Sequence, residues 1–363
     1  MSIMQSLFGS GNRDLIGLDI SSSAVKLLEL SRRGDRFHVE TYAIEPLPPN
    51  AVVDKQIVDE KVVGECIARA VNRSGTRTLQ VALAVSGASV ITKVIQMPAS
   101  LSEHDLEEQI KVEADQYIPY SIDEVHLDFQ VLGASNVGSA GIGSVDVLLA
   151  ACRKEQVEQR CGAAEIAGLT PRIVDIENNA LQNASLFLQH QMPDGGRGKT
   201  IALVDMGATT TSVLVLHDLQ SVYTREQSFG GRQLSDDIMR YYGLSPEEAA
   251  KAKRFNSLPE DYSFNVLMPF VADMGQQIDR SLQFFFASSS QHTQIDQIIL
   301  AGGCAEIAGV DQAIQEQLHI PTVVAKPFAH MSVSPKAKPA QLAKDAASLL
   351  LACGLAYRAF DPA

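Results

Sequence analysis

Two short stretches of this 363-residue chain carry the residue types of a phosphate site. In the first, Asp19 ends an apolar run and Ser21, Ser22 and Ser23 follow; in the second, Asp205 ends another and Gly207, Thr209 and Thr210 follow. Turn N–H groups aimed at one point form an anion-binding nest. The Ser22 and Thr209 hydroxyls add donors, and small residues let the backbone approach phosphate oxygens closely. Asp19 and Asp205 alone would repel a phosphate, so the pattern calls for a cation between them. Mg²⁺ suits this place, because it keeps several waters through which carboxylates hold it. Two such turns, facing each other, would grip the β- and γ-phosphates of a nucleotide from opposite sides. A single turn of this kind is accounted for by an Asx or Ser/Thr turn. The matched pair is what points to phosphate.

A third candidate is the strand that runs into Gly302-Gly303, where glycine lets a flat base or ribose pack on backbone. Alone, such a junction serves many ordinary α/β crossovers. Gly230-Gly231 precedes a helix over 233–242, and Ser245-Pro246-Glu247-Glu248 is a capping box with Pro at the first helical position. Glu248 and Lys253 on that second helix come within reach of an adenosine if they are more than a solvated face.

The elements that must position these residues form a repeat. Residues 16–30 (IGLDISSSAVKLLEL) and 202–216 (ALVDMGATTTSVLVL) share one plan: a buried strand ending in Asp, a small-residue turn, then another apolar strand. Around the first copy the pattern predicts strands at 15–20, 25–30 and 37–44, a helix over 59–72 and a strand at 79–85. Residues 88–170 read as an α+β insertion. Within it, Ser102 and Asp105 cap a helix whose apolar face is Leu106, Ile110, Ala114 and Tyr117, and a Gly/Ser/Ala-rich loop separates two strands. PDGGRG (193–198) is the clearest linker, and 342–358 predicts one buried apolar helix.

Composition narrows the functions. A formal net charge of −13 argues against a nucleic-acid binder or a polybasic membrane anchor. It does not argue against a nucleotide, which needs only a few local N–H donors. Five scattered cysteines without a C-x-x-C pair read as buried thiols in a reducing compartment. No apolar run reaches the roughly 20 residues of a membrane span. Met1–Gly9 is too short for a signal peptide and reads as a frayed end rather than an apolar foot. The chain is expected to be cytoplasmic.

The order of first hairpin, connecting helix (175–190), second hairpin, Gly-Gly loop (299–310) and final helix (346–358) resembles the actin/Hsp70/sugar-kinase ATPase superfamily. That implies an α/β, actin-like (ribonuclease H-like) two-domain ATPase fold, and the insertion is similar to the extra subdomain of FtsA. More closely, the chain resembles the PilM family of type IV pilus assembly proteins. GLDISSSAVKLLEL, IVDEKVVGECIARAV, VALAVSGASVITKVIQMP, EADQYIPYSIDEVHLDFQVLG, IALVDMGATTTSVLVL and SFGGRQLSDDI carry that resemblance. It implies a tail at 1–13 and a first domain of 14–87, 171–196 and 340–360 with the insertion at 88–170. The second domain is then 197–228 plus 286–339, with a subdomain at 229–285.

The resemblance also implies ATP and Mg as ligands. Asp19, Ser21, Ser22, Ser23 and Lys26 fall in the first phosphate hairpin, and Asp205, Gly207, Thr209 and Thr210 in the second. Gly231, Glu248 and Lys253 fall on the ribose and adenine side, with Gly302, Gly303 and Ala305 in the adenosine loop. Asp19 and Asp205 would hold Mg through water, and Glu177 stands where polymerising relatives place a water-orienting Glu. One departure is Ala208, where active relatives carry an acidic residue or glycine; nucleotide binding with slow or negligible hydrolysis is therefore expected. The implied role is an adaptor on the inner face of the inner membrane. It would bind the N-terminal cytoplasmic peptide of the bitopic protein PilN, in a groove between the first domain and the insertion, and would meet motor ATPases and platform proteins. The alternatives are an FtsA-like filament-forming ATPase and a small-molecule kinase using Asp128 or Asp146.

Overall fold

The computed structural model describes residues 14–134, 143–255, 257–289 and 293–361. The tail at 1–13 and most of the Gly/Ser/Ala-rich loop, for which fraying and mobility are expected, lie outside the described residues.

The chain opens with an antiparallel meander, β1 (Ile16–Ile20), β2 (Ala24–Arg33) and β3 (Arg36–Pro46). β1 is buried along its whole length, as a strand covered on both faces must be. A much smaller hairpin follows, β4 (Val52–Val53) and β5 (Gln56–Ile57). Its two turn residues, Asp54 and Lys55, have positive φ of 47° and 62°, although neither is glycine. Helix α1 (Glu60–Ser74) begins where the Asp59 carboxylate accepts the Val62 N–H and ends at left-handed Gly75. It lays Val63, Cys66, Ile67 and Ala70 on the sheet, and β6 (Gln80–Val85) then runs parallel to β1.

The insertion is a three-stranded antiparallel sheet of β7 (Val90–Pro98), β8 (Val125–Ala134) and β9 (Ser144–Arg153), with β9 central. Helix α2 (Glu103–Ala114) covers one face through Leu106, Ile110 and Ala114, which meet Ile95, Met97, Val147 and Leu149. Tyr117 does not extend that apolar face. The helix ends at Ala114, the turn beyond it breaks the helical phase, and Tyr117 swings out to lie 5.4 Å below the Lys93 ammonium while Ile118 fills the core. Helix α3 (Lys154–Ile166), assigned from the sequence to the insertion, sends Ala163 and Ala164 into the first-domain core beside Val63 and Ile67. The independently packed insertion is therefore shorter than 88–170 and stops near Arg153.

β10 (Thr170–Ile176) adds in parallel beside β6 and leads into α4 (Glu177–Ser185). The plan then repeats: β11 (Thr200–Met206), β12 (Thr211–His217) and β13 (Gln220–Gln227) form a second meander. Helices α5 (Gly231–Tyr242), α6 (Pro246–Phe255) and α7 (Met268–Ser288) follow. β14 (Gln297–Ala301), α8 (Val310–Leu318) and β15 (Thr322–Val324) complete the second sheet. β16 (Ser332–Val333) returns to the edge of the first sheet beside β3. The single helix expected over 342–358 is two, α9 (Pro339–Asp345) and α10 (Leu350–Tyr357), separated by a 3₁₀ turn at Ala347–Leu349.

Strand orders β3-β2-β1-β6-β10 and β13-β12-β11-β14-β15 are the same arrangement of a meander flanked by two parallel strands. Between the sheets lie α4 and α10. Ala180, Leu181, Leu188, Leu350 and Leu355 contact Ala82 and Ala84 of one sheet and Leu203, Leu214 and Ile299 of the other. The helices touch so closely that a Cβ on Gly354 would overlap the Ala180 carbonyl oxygen. This shared layer fixes the two β-hairpins relative to each other.

Candidate functional site

The β1–β2 and β11–β12 turns meet across a cleft, with Ser22 Oγ 2.8 Å from Thr209 Oγ1. Those residues are 187 apart in sequence, so the contact depends wholly on how the two sheets pack. The two acidic strand ends face the same space. Asp19 is buried and pairs across the strands with Lys26, whose ammonium stands 3.0 Å from Oδ2. Burial works to lower the Lys26 pKa, but Asp19, then Asp205, and at longer range Glu306 outweigh it and leave it raised. Asp205 lies deep in the cleft, though solvent still reaches it. Desolvation pushes its carboxyl up to about 6, with Lys26 opposing the shift and Asp19 adding to it.

The rest of the two turns divides into walls and open donors. Ser21 spends its hydroxyl on its own turn, donating to the Ala24 carbonyl at 2.8 Å, while Ser23 is exposed. In the second turn Gly207 N–H donates to Thr210 O, and the Gly207 and Ala208 carbonyls accept from Gly231 and Arg232 N–H at 3.0 and 2.7 Å. The start of α5 is thereby bolted to the second hairpin. Gly231 lies against Cys304, 3.0 Å from where its Cβ would be.

The Gly-Gly loop closes the next side. Gly302 has φ 81°, and a Cβ there would overlap the Met206 carbonyl oxygen and come within 2.6 Å of Asp205 Oδ1. Gly303 meets nothing within 4 Å and so faces open space. Ala305 turns its methyl into the second-domain core and keeps only its backbone at the loop. Lys253 reaches Ser235 Oγ at 3.1 Å; burial lowers its pKa, and neighbouring Cys304 opposes the shift. Glu248 is less available. Its carboxylate accepts from the Ser245 N–H and hydroxyl at 2.8 and 2.7 Å, closing the α6 capping box in solvent.

Glu177 opens α4 and is buried, but not alone. The Lys55 ammonium sits 2.6 Å from Glu177 Oε2 and 3.0 Å from Glu226 Oε2, and Ser86 Oγ donates to the same Glu226 oxygen at 3.0 Å. Asp205 responds to both Lys55 and Glu177, which places them in one electrostatic neighbourhood. Among the described residues no three His, Cys, Asp or Glu side chains converge as a metal-holding group. A divalent ion near Asp19 and Asp205 would therefore need water or a ligand's oxygens for most of its shell, which Mg²⁺ accepts. Chemically, the cleft brings the Ser22 and Thr209 hydroxyls and the Lys26 ammonium together as donors for an anion, with two carboxylates for its counter-cation. Asp128 and Asp146 lie on β8 and β9 of the inserted sheet.

A model of the family described as type IV pilus assembly protein PilM matches residues 17–360. The chain belongs to the PilM family. Its fold is similar over 97% of its length to a chain of a PilM–PilN type IV pilus biogenesis complex, which is matched over 100% of its own length, with a TM-score of 0.78 and 26% identity. EutJ of Carboxydothermus hydrogenoformans is similar at a TM-score of 0.56 and 16% identity, over 94% of this chain and 88% of that one. An MreB of Spiroplasma citri bound to AMPPNP is similar at 0.50 and 14%, over 95% of each chain. The actin-like fold expected from the sequence is thus the fold of this PilM-family chain.

In this PilM-family member, Lys55, Ser86, Arg160 and Glu226 were invisible to motif reading. Each is one polar residue in an unremarkable setting. The only sequence signal is Asp54-Lys55 between Val52-Val53 and Gln56-Ile57, a two-residue turn lacking the glycine such turns prefer. Among the described residues, no helix is long and apolar enough to cross a membrane.

Proposed function

We propose that this chain is an ATP-binding adaptor of a type IV pilus assembly machine. It works at the cytoplasmic face of the inner membrane, takes the N-terminal cytoplasmic peptide of a PilN-type bitopic partner, and links it to motor and platform proteins. The observation that carries this reading is the full-length likeness to a chain of a PilM–PilN complex. Geometry supports the nucleotide part: twin hairpins in contact, a left-handed Gly302 and open Gly303 beside them. In this reading ATP places its β- and γ-phosphates between the hairpins, taking over the hydroxyls that Ser22 and Thr209 otherwise turn on each other, with Mg²⁺ held through water by Asp19 and Asp205. Its adenosine lies between the Gly302–Gly303 backbone and the Gly231 and Lys253 side.

Binding without brisk turnover follows from two features. Ala208 has no group to orient water, and the Glu177 carboxylate is already neutralised by Lys55. For the partner peptide, the insertion keeps one sheet face free of α2. There Val94 is exposed opposite Leu148 on the neighbouring strand, and Asp128 and Asp146 lie on the same sheet. An apolar anchor flanked by Lys or Arg suits that surface, with the apolar contact holding and the charge guiding approach.

Titration of the full chain with a peptide from the N-terminus of the cognate bitopic protein is expected to give saturable binding that a scrambled peptide lacks. No binding, with or without Mg²⁺–ATP, would overturn the adaptor reading. Separately, Mg²⁺–ATP is expected to raise the melting temperature of the wild type, by about 2.7 kcal/mol of added stability at 100 times Kd. Asp19→Ala is expected to lose that response. Equal shifts in both proteins would remove Asp19 from the site.

A further inference from the structure

Lys55 joins three places that the fold brings together from far apart. Its hairpin belongs to the first domain, where Val52 and Ile57 enter the core with Ile20 and Val25. Glu177 heads α4, and Glu226 lies on β13 of the second sheet. The ammonium thus bridges the domains on the rim of the cleft, and Ser86, following β6 of the first sheet, adds a second cross-domain bond to the same carboxylate. All three charged side chains are largely buried: 14% of Lys55, 11% of Glu177 and 19% of Glu226 is exposed. Two carboxylates this close and this dry repel strongly unless a cation stays between them. Removing the cation therefore turns a closing contact into an opening one.

The backbone around Lys55 is held for this task. Asp54 and Lys55 both have the positive φ that a two-residue hairpin turn imposes on its central pair. Arg160 braces that turn from outside. Buried in α3, it donates to the Lys55 carbonyl at 2.7 Å and to the Ile20 carbonyl, beside the first hairpin, at 3.4 Å. α3 follows directly on β9, the central strand of the inserted sheet.

We infer that Lys55 is an interdomain clasp, positioned by Arg160, which holds the cleft shut and sets how fast a bound nucleotide leaves. Release requires the two hairpins to part, and on this rim Lys55–Glu226 and Ser86–Glu226 must break for that to happen. Lys55 is a positioning residue here; no step of phosphate chemistry is assigned to it. The kinetic consequence rests on the nucleotide reading above, whereas the closure itself does not.

The test uses the full chain and a fluorescent ATP analogue with Mg²⁺ in stopped flow. Lys55→Met and Glu226→Gln are each expected to speed analogue release by about tenfold, with association changed much less, since loss of one partner of a buried charge pair acts mainly on dissociation. The double variant is expected to release no faster than the faster single one, because both changes undo one contact. Arg160→Met is expected to speed release as well. Release within twofold of wild type in Lys55→Met, or effects of the two single changes that multiply, would overturn the clasp. Closure is read without nucleotide by spin labels at Val58→Cys and Val222→Cys, in a Cys161→Ser background that leaves the four buried thiols. Lys55→Met is expected to lengthen and broaden the interdomain distances, and an unchanged distribution would overturn closure. Wild type that fails to bind the analogue, with distances that still lengthen in Lys55→Met, would defeat the nucleotide reading and leave the clasp standing.

Discussion

Gly302→Ala is expected to weaken Mg²⁺–ATP binding by at least about 100-fold, roughly 2.7 kcal/mol. The loop at Gly302 is where β14 leaves the second sheet beside the Asp205 carboxylate. Its φ of 81° with ψ of 175° lies in a region essentially only glycine enters, and holding a residue with a Cβ there costs about 1–3 kcal/mol. The added methyl would also overlap the Met206 carbonyl oxygen and press on Asp205 Oδ1 at 2.6 Å. Neither neighbour is a flexible side-chain end that moves aside cheaply: one is backbone, and the other is a carboxylate whose place defines the second phosphate turn. The loop must retreat, and with it the surface that the adenosine is proposed to lie on. Gly303→Ala is the control. Its Cβ meets nothing within 4 Å, so that variant is expected to fold as the wild type does. Calorimetric titration checks both. Wild-type affinity in Gly302→Ala would mean that the nucleotide does not use this loop.

Asp205→Asn is expected to act in opposite directions on stability and on binding. Desolvation raises the Asp205 carboxyl from 3.8 to about 6, so an ionised Asp205 burdens the folded chain at neutral pH. That shift corresponds to up to about 3 kcal/mol. The burden is absent well below pH 3.8, where the group is protonated whether the chain is folded or not. It grows as pH rises towards 6, because the unfolded chain releases its proton first, and it is complete at pH 7. Lys26, Asp19, Lys55 and Glu177 surround the group, and their fields are part of this balance. The variant is therefore expected to be more stable than the wild type at pH 7, with the difference shrinking towards pH 4, while its response to Mg²⁺–ATP disappears. Denaturant melts at the two pH values, with and without ligand, check both halves. A variant less stable than the wild type at pH 7 would show that the carboxylate stabilises the empty cleft. A retained ligand response would show that the ion does not need it.

The glycines of the proposed second-domain site are each a sequence signal, because glycine has no Cβ. Gly207 and Gly302 stand against backbone, Gly231 against the Cys304 sulfur, and Gly303 faces open space. Charged residues were harder to place. Glu248, a candidate for the adenosine side, is the third-position carboxylate of a capping box, because a carboxylate three residues beyond an N-cap serine satisfies the nearest free N–H group first. Glu177 fell at the head of the connecting helix as expected, yet its partner Lys55 is 122 residues away and carries no motif. Spacing alone puts Tyr117 on the apolar face of α2, and the end of the helix at Ala114 takes it off that face.

The sequence by itself determined the duplicated strand–turn–strand plan, the acidic strand ends and the family, because these depend on short-range periodicity and on residue types within a dozen positions. Tertiary structure alone decided that Ser22 touches Thr209, that α3 packs with the first domain, and that Lys55 lies between Glu177 and Glu226. The physical reason is the layer of α4 and α10 between the sheets. Their apolar contacts set the angle and distance between two domains whose polar rims carry no information about each other until they are packed.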